Sequence, residues 1–287
     1  RVTLATEHAW LQRASCGAGC VHAGADAPGA RWVVVCRIAL RTAAALALFC
    51  GVWLLAVPMP GRVHVQRGYC RMMLRTLGVR MQVSGGPIRN VPGVLVVSGH
   101  VSWLDIFTIG TVLPGSYVAR ADLVDWPALG PVVRLMKIIP IDRARLRRLP
   151  AVVAAVAERL RAGHTVIAFP EGTTWCGLGY GRFRPAMFQA AVDAGRPVQP
   201  LRLSYRHRDG RPSTVPAFVG DDSLLTSVRR VITARRTVCH IHVESLQLPG
   251  TDRRDLAARC EAAVRGRANR TALVAPTDCG EGHALVA

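Results

Sequence analysis

A chain of 287 residues and 30.9 kDa is long enough to bury a full core in one α/β domain, so a second domain is not required. It carries 37 Lys+Arg against 18 Asp+Glu, a formal net charge of +19, and Lys137 is the only lysine; such an excess draws a protein toward anionic ligands or surfaces, with nucleic acid and anionic lipid both candidates. The nine cysteines are odd in number and scattered through apolar text, which argues against a disulfide framework and for a reducing, cytoplasmic-side compartment.

In chain order, residues 1–30 are rich in Ala and Gly with little periodicity and read as a flexible leader. Within them Cys16-x-x-x-Cys20 is followed by His22, but no second ligand pair accompanies it, so no metal site is expected. Residues 31–78 read as a membrane-anchoring segment and an amphipathic helix. Positions 42–59 carry no charge and lie between Arg37 and Arg41 on one side and Arg62 on the other. That length nearly crosses a bilayer as a helix, and an alanine-rich buried core helix is the competing reading. Pro58 and Pro60 follow the run in place of a small-residue cleavage site, which argues against a cleaved signal peptide. Arg31, Arg37 and Arg41 suit its cytoplasmic end, and Arg62, Arg67 and Arg71 suit an anionic bilayer surface. Over 66–77, arginines alternate with Met and Leu at helical spacing, giving a helix that lies along a core or a membrane.

From 79 to 266 the text takes on an α/β rhythm. Strands are predicted at 79–85, 93–99, 115–120, 137–143, 164–172, 198–205 and 236–248. Helices are predicted near 103–112, 127–136, 146–162, 185–194 and 251–265, the last capped by Thr251 or Asp252 and stopped by Gly266. Continuous Val/Ile runs alternating with helices predict an α/β fold with a mixed, mainly parallel sheet covered by helices. Residues 267–287 read as a flexible tail.

Three segments carry candidate chemistry. In "VVSGHVSWLDI", Gly99 ends a strand and "SWLD" has the form S-x-x-D, so Ser102 caps a helix while Asp105 reaches back from its third position toward His100. A histidine oriented by a carboxylate is a general base; a satisfied loop histidine beside a capping aspartate has the same spacing. No G-x-S-x-G, H-E-x-x-H, dinucleotide-binding or P-loop motif is present, so an attacking group would come from the substrate. In "FPEGTTWCG", backbone N–H groups after Gly172, with the hydroxyls of Thr173 and Thr174, suit an anion, with Glu171 aligning or binding a polar group; an ordinary turn is the alternative. In "KIIPIDR", a strand delivers Asp142 and Arg143, whose guanidinium fork suits phosphate, while Arg145, Arg147 and Arg148 read as a solvated basic face.

Taken together, these segments resemble the glycerolipid acyltransferases, whose best-known members convert lysophosphatidic acid to phosphatidic acid. His100 through Asp105 matches their first motif, Arg143 the second, and "FPEGT" at 169–173 the third letter for letter; Pro200 stands for the proline of the fourth. The match spans roughly residues 80–245. It departs at Gly99, where the family often has asparagine, and at Val-Gln-Pro, where Val-Pro-Val is usual. The resemblance implies that His100, oriented by Asp105, deprotonates an acceptor hydroxyl that attacks the thioester of acyl-CoA or acyl-carrier protein directly, without a covalent acyl-enzyme. Arg143, Gly172 and Thr173 would hold the acceptor phosphate, Glu171 would position the glycerol, and Ser102, Pro170 and Pro200 would support the site. No metal or bound cofactor is implied. The partners implied are a lysophospholipid, the acyl donor and an anionic membrane surface, with the catalytic domain on the cytoplasmic face of an inner or plasma membrane.

"PAFVGDDSLLTSV" further resembles the lyso-ornithine-lipid acyltransferase branch, whose acceptor lacks phosphate. A thioesterase, with His100 activating water, is a second alternative. A basic nucleic-acid-binding protein is the non-enzyme alternative; no helix-turn-helix, zinc spacing or aromatic run interleaved with basic residues supports it, and no nucleic acid is expected as partner.

Overall fold

The computed structural model describes residues 14–21, 30–56, 60–87, 91–121, 130, 136, 138–142 and 145–266. Among them, seven strands form one sheet: β1 (Val79–Gly85), β2 (Leu95–Ser98), β3 (Ser116–Arg120), β4 (Ile139–Ile141), β5 (Val166–Ala168), β6 (Val198–Arg206) and β7 (Thr237–Val243). Their spatial order is β1-β7-β6-β2-β5-β3-β4. Every pairing is parallel except β6 with β7. The fold is the mixed, mainly parallel α/β sheet that the alternation of apolar runs and helices predicts.

Helices cover both faces: α3 (Leu104–Gly110) and α6 (Leu224–Thr233) on one, with α2 (Arg62–Thr76), and α4 (Leu149–Arg161), α5 (Ala186–Ala194) and α7 (Arg253–Arg265) on the other. The pleat divides the central strands accordingly. Val96 and Ile167 face the core that contains Leu74, Leu104 and Val231, whereas Leu95, Val97, Val166 and Ala168 face Val156, Leu160, Phe188 and Leu256. Burial on both faces explains why β2 and β5 read as unbroken apolar runs.

The strands are shorter than the apolar text. The run at 164–172 narrows to β5 because the chain turns after it: the Gly172 N–H bonds the Phe169 carbonyl at 3.1 Å, with Gly172 at φ 74°, a left-handed conformation that disfavours any side chain. Likewise 236–248 narrows to β7, after which Gln247 makes only an isolated bridge to Val198. Asp252 caps α7, accepting the Arg254 N–H at 2.8 Å, and Gly266 ends it. The sequence reading assigns no element to α6, although Ser223 caps it by accepting the Thr226 N–H at 3.1 Å. Pro200 sits within β6, which most prolines cannot do. Its carbonyl accepts the Glu244 N–H at 3.2 Å, and the Glu244 carbonyl opposite, which the proline cannot serve, accepts Gln199 Nε2 at 2.7 Å. The helix expected near 127–136 falls largely on residues outside the described ones, as do Arg143 and 267–287.

Ahead of the sheet, α1 (Arg31–Cys50) continues into a 3₁₀ turn, Gly51–Ala56. The stretch Arg31–Trp53 has a mean hydropathy of 2.0, and none of its most apolar window is buried. This is one apolar helix consistent with a single membrane anchor. Trp32, Leu40, Leu46 and Trp53 are exposed along it, and Val63, Val65 and Met72 along α2, so the two helices share an uncovered apolar surface. Arg41, halfway along α1, donates to the carbonyls of Ile232, Ala234 and Arg235 at 2.8, 2.6 and 2.9 Å. These are carbonyls at and just beyond the carboxyl end of α6, where the helix leaves acceptors unpaired and favours a cation. The anchor is therefore fastened to the α/β domain at mid-length.

Candidate active site

β2 ends at Ser98, and the chain turns through Gly99 to place His100 ahead of α3. Trp103 already has helical dihedrals (φ −58°, ψ −23°), and the Ser102 hydroxyl accepts the Leu104 N–H at 3.3 Å, so Ser102 works as the expected cap. Asp105 reaches back as the S-x-x-D spacing predicts. Its Oδ2 accepts the N–H of Val101 at 2.7 Å, the N–H of Ser102 at 2.9 Å and His100 Nδ1 at 2.8 Å. Its Oδ1 accepts the Tyr205 hydroxyl at 2.7 Å. Asp105 is fully buried, and four donors replace the water it has lost. Tyr205 stays a donor because burial, and then the Asp105 charge, hold its phenol well above the usual range.

With Nδ1–H donated to Asp105, the remaining imidazole nitrogen, Nε2, carries the lone pair. His100 is 18% exposed and lines a cavity of about 1420 Å³. Its ring stacks on Phe169 with centroids 4.0 Å apart and planes at 12°. Its backbone is held from the "FPEGTTWC" loop: its N–H donates to Glu171 Oε2 at 2.9 Å, and its carbonyl accepts the Trp175 N–H at 2.8 Å. The two motifs, distant in sequence, form one unit because β2 and β5 are neighbouring parallel strands whose carboxyl ends open on the same side.

Gly172 and Thr173 line the cavity beside His100. Thr174 also lines it, but its hydroxyl is bonded to the Phe218 carbonyl, and the Phe218 N–H donates to the Val101 carbonyl at 2.9 Å. Pro170 lies two residues beyond the end of β5, and its carbonyl accepts the Arg184 N–H at 3.0 Å. Pro200 lies within the sheet, in register with Val97, under the site rather than in it. Arg120 ends β3 in register with Ile141 and lines the cavity, as do Arg62 and Arg159. Arg143 lies two residues beyond Ile141, outside the described residues. From His100 the cavity extends past Tyr117 and Phe107 to Tyr69 and Met73 of α2, to Phe49 of α1 and to Val52 and Leu55 of the 3₁₀ turn after it. An apolar chain of a lipid fits that wall, and its polar end fits the arginines and the Gly172 loop.

Glu171 does not line the cavity. It is 3% exposed and faces the backbone; a Cβ on Gly99 would lie 3.6 Å from its Oε1, so an asparagine at 99 would set its amide against this carboxyl. Burial pushes the Glu171 carboxyl up to about 8, against the opposing pull of the His100 N–H, the Arg265 guanidinium and the Gly181 N–H. The folded protein thus retains a proton that the unfolded chain releases near the ordinary value of 4.5. Stability contributed by this group is full below that value and falls as pH rises toward about 8, by on the order of a few kcal/mol. Glu171→Gln should flatten this part of the profile, and urea midpoints measured across that window check it. A Gln variant as pH-sensitive as the parent would show that other groups set the slope.

Sequence reasoning names His100, Asp105, Gly172 and Thr173; His100, Gly172 and Thr173 line one cavity, and Asp105 is buried behind His100. It misses Tyr205, Phe169 and the Trp175 N–H. Tyr205 was accessible from parity: Leu201, Leu203 and Tyr205 alternate along β6 toward the core that holds α3. The Trp175 contact is a backbone bond across a loop and has no sequence signal.

A buried carboxylate–imidazole pair beside a cavity at the carboxyl ends of parallel strands is an arrangement consistent with an enzyme of the acyltransferase class. The acyltransferase family profile matches residues 80–204. The chain is 33% identical over 171 residues to the 1-acyl-sn-glycerol-3-phosphate acyltransferase of Neisseria meningitidis serogroup B, covering 60% of this chain and 67% of that one. It is also 33% identical over 211 residues to the lyso-ornithine lipid O-acyltransferase of Pseudomonas aeruginosa, covering 72% and 79%. Its fold matches the crystal structure of the 1-acyl-sn-glycerophosphate (LPA) acyltransferase PlsC from Thermotoga maritima with a TM-score of 0.59, at 19% identity, over 84% of this chain and 98% of that one. The chain belongs to the PlsC-like acyltransferase family.

Proposed function

We propose that the enzyme moves a fatty acyl group from acyl-CoA or acyl-carrier protein to the free hydroxyl of a lysophospholipid, with 1-acyl-sn-glycerol 3-phosphate as principal acceptor and phosphatidic acid as product. The observation that carries this reading is the His100–Asp105 pair at the end of a cavity whose apolar wall reaches the anchor helices. His100 Nε2 takes the proton of the acceptor hydroxyl as that oxygen attacks the thioester carbonyl, and Asp105 stabilises the imidazolium. The tetrahedral intermediate collapses, the C–S bond breaks, and the departing thiolate takes the proton from His100. No covalent acyl-enzyme forms, and no metal or cofactor takes part in the step. Arg143, Gly172 and Thr173 hold the acceptor phosphate. Glu171 acts by fixing the His100 backbone, a positioning role.

The enzyme works on the cytoplasmic face of an inner or plasma membrane, where a one-chain lipid enters from the bilayer and the acyl donor from water. The fastening of Arg41 to the α/β domain supports an α1 that docks in the interface with α2 rather than spanning alone. Arginine on α2 suits anionic headgroups.

O-acylation of a lyso-ornithine lipid is the second reading, supported by the longer match to the Pseudomonas aeruginosa protein. Membranes containing the enzyme, given oleoyl-CoA and either lysophosphatidic acid or lyso-ornithine lipid, decide between them. Conversion of the phosphate acceptor supports the principal reading; selective conversion of the ornithine acceptor replaces the substrate and keeps the mechanism. Thioester hydrolysis without acylated product would instead indicate a thioesterase. Arg143→Ala should raise the KM for the phosphate acceptor by roughly tenfold or more and leave the KM for the acyl donor unchanged; equal effects on both would remove Arg143 from the acceptor site.

A further inference from the structure

Three thiols meet beside the loop that follows Thr173. The Sγ atoms of Cys16, Cys20 and Cys176 lie within 4.8 Å of one another, and all three side chains are buried. Cys16 and Cys20 belong to the segment 14–21, which forms a strap across the α/β domain, and Cys176 to the loop that carries Gly172 and Thr173. The strap has little regular structure: one 3₁₀ turn, Ala18–Cys20, closed by the Cys20 N–H on the Gly17 carbonyl at 3.0 Å. It nonetheless packs against the domain: a Cβ on Gly220 would lie in van der Waals contact with the Gly17 Cα, at 3.4 Å, and one on Gly179 with the Cys16 Sγ, at 3.7 Å.

Packing holds this strap in part, since Cys16 and Cys20 join the core on the α3 face and Ala14 and Val21 pack against it, but the contribution is small. Its side chains from 14 to 21 are Ala, Ser, Cys, Gly, Ala, Gly, Cys and Val, and small side chains bury little area at about 25 cal/mol per Å². Free thiols are common in cores as small hydrophobes. Here, however, three thiols converge from two segments more than 150 residues apart in the chain, and they are the group with metal-holding geometry among the described residues. Thiolates around Zn²⁺ stand about 2.3 Å from the metal, which spaces tetrahedral sulfurs roughly 3.8 Å apart. Sulfurs already within 4.8 Å reach that spacing by shifts of about an ångström or less.

We propose that Cys16, Cys20 and Cys176 form a three-thiolate site for a thiophilic divalent cation of the Zn²⁺ class, which staples the strap to the active-site loop. On binding, each thiol releases its proton to solvent and the sulfur lone pair takes its place on the metal. Three thiolates and one Zn²⁺ leave a net charge of −1, with the fourth tetrahedral position for water or an external donor. The staple acts one residue from Trp175, whose N–H holds the His100 carbonyl, so its role is to position the loop. It takes no part in the acyl-transfer step.

The test uses the full chain purified in detergent with reductant. Metal content is measured after loading with Zn²⁺ and dialysis, and the spectrum is recorded with Co²⁺ in its place. The expected results are about one metal per chain and a sulfur-to-cobalt charge-transfer band with tetrahedral visible bands. Cys176→Ser should lose that band, whereas Cys36→Ser, at an exposed position on α1, should keep it. Strap cleavage by protease should increase when the metal is stripped from the unaltered protein. The proposal is overturned if the unaltered protein retains no metal, if the cobalt spectrum survives Cys176→Ser, or if the three cysteines are found in a disulfide despite reductant. The metal and protease measurements on the unaltered chain do not depend on any variant folding, and they are independent of which lipid is the acceptor.

Discussion

Replacing His100 by alanine lowers acyl transfer by a factor on the order of 10² to 10⁴, the usual contribution of a positioned general base, and leaves membrane association as it was. The ring is held on both sides, by the Asp105 carboxylate at Nδ1 and by the face of Phe169, and Nε2 is the group left to meet an acceptor hydroxyl. Alanine removes the proton acceptor and opens a small space beside Phe169. It leaves the backbone bonds to Glu171 and Trp175, because those use only the His100 N–H and C=O. The variant therefore folds, and α1 and α2, which carry the exposed apolar surface, are untouched. Single-turnover transfer from acyl-CoA and co-sedimentation with vesicles measure the two properties separately. Turnover near the parent rate would remove His100 as the base; lost sedimentation together with lost turnover would mean that the variant has unfolded.

Asp105→Asn is the second large effect, and it isolates charge from geometry. Three of the four donors to Asp105 converge on Oδ2, and the fourth, Tyr205, bonds Oδ1. An asparagine that keeps its oxygen at the Oδ2 position still accepts from His100, Val101 and Ser102. Its NH₂ then faces Tyr205, whose hydroxyl rotates from donor to acceptor. The loop and the histidine tautomer are preserved, and what disappears is the buried negative charge that stabilises the imidazolium. The expected outcome is a fall in kcat of roughly 10² or more with acceptor KM and thermal stability close to the parent. Asp105→Ala differs in kind. It strands two buried backbone N–H groups and a buried phenol, each costing about 1–3 kcal/mol, so both stability and activity should collapse. If Asn destabilises as much as Ala, the carboxylate is chiefly a structural cap and the assignment of a charge role fails.

The charge-free run ahead of Arg62, the alternation of Val/Ile strands with helices and the helix boundaries at Asp252 and Gly266 were legible because each depends on neighbours a few residues apart. The pairing of His100 with Asp105 was legible for the same reason: S-x-x-D is a local device, and a helix start folds it the same way in most contexts. The antiparallel placing of β7 beside β6 was not legible, since it depends on which strand edge remains open after β2 and β5 have paired. Nor was the proline inside β6, where the Gln199 side-chain amide occupies the Glu244 carbonyl opposite it.

Sequence alone determined the reaction type, through two motifs whose residues are chemically specific, and it determined an apolar segment able to hold the chain at a bilayer. Tertiary structure decided what each motif touches. Glu171 turns inward to the His100 backbone and away from the cavity, Arg41 leaves the basic flank of the anchor to close the end of α6, and Tyr205 completes the shell of Asp105. Cys176 meets two cysteines of a segment that reads as a loose leader. Each of these contacts joins groups far apart in the chain, and no local pattern encodes them; they follow from parallel strands that open their carboxyl ends on one side and from the cost of burying a polar group without a partner.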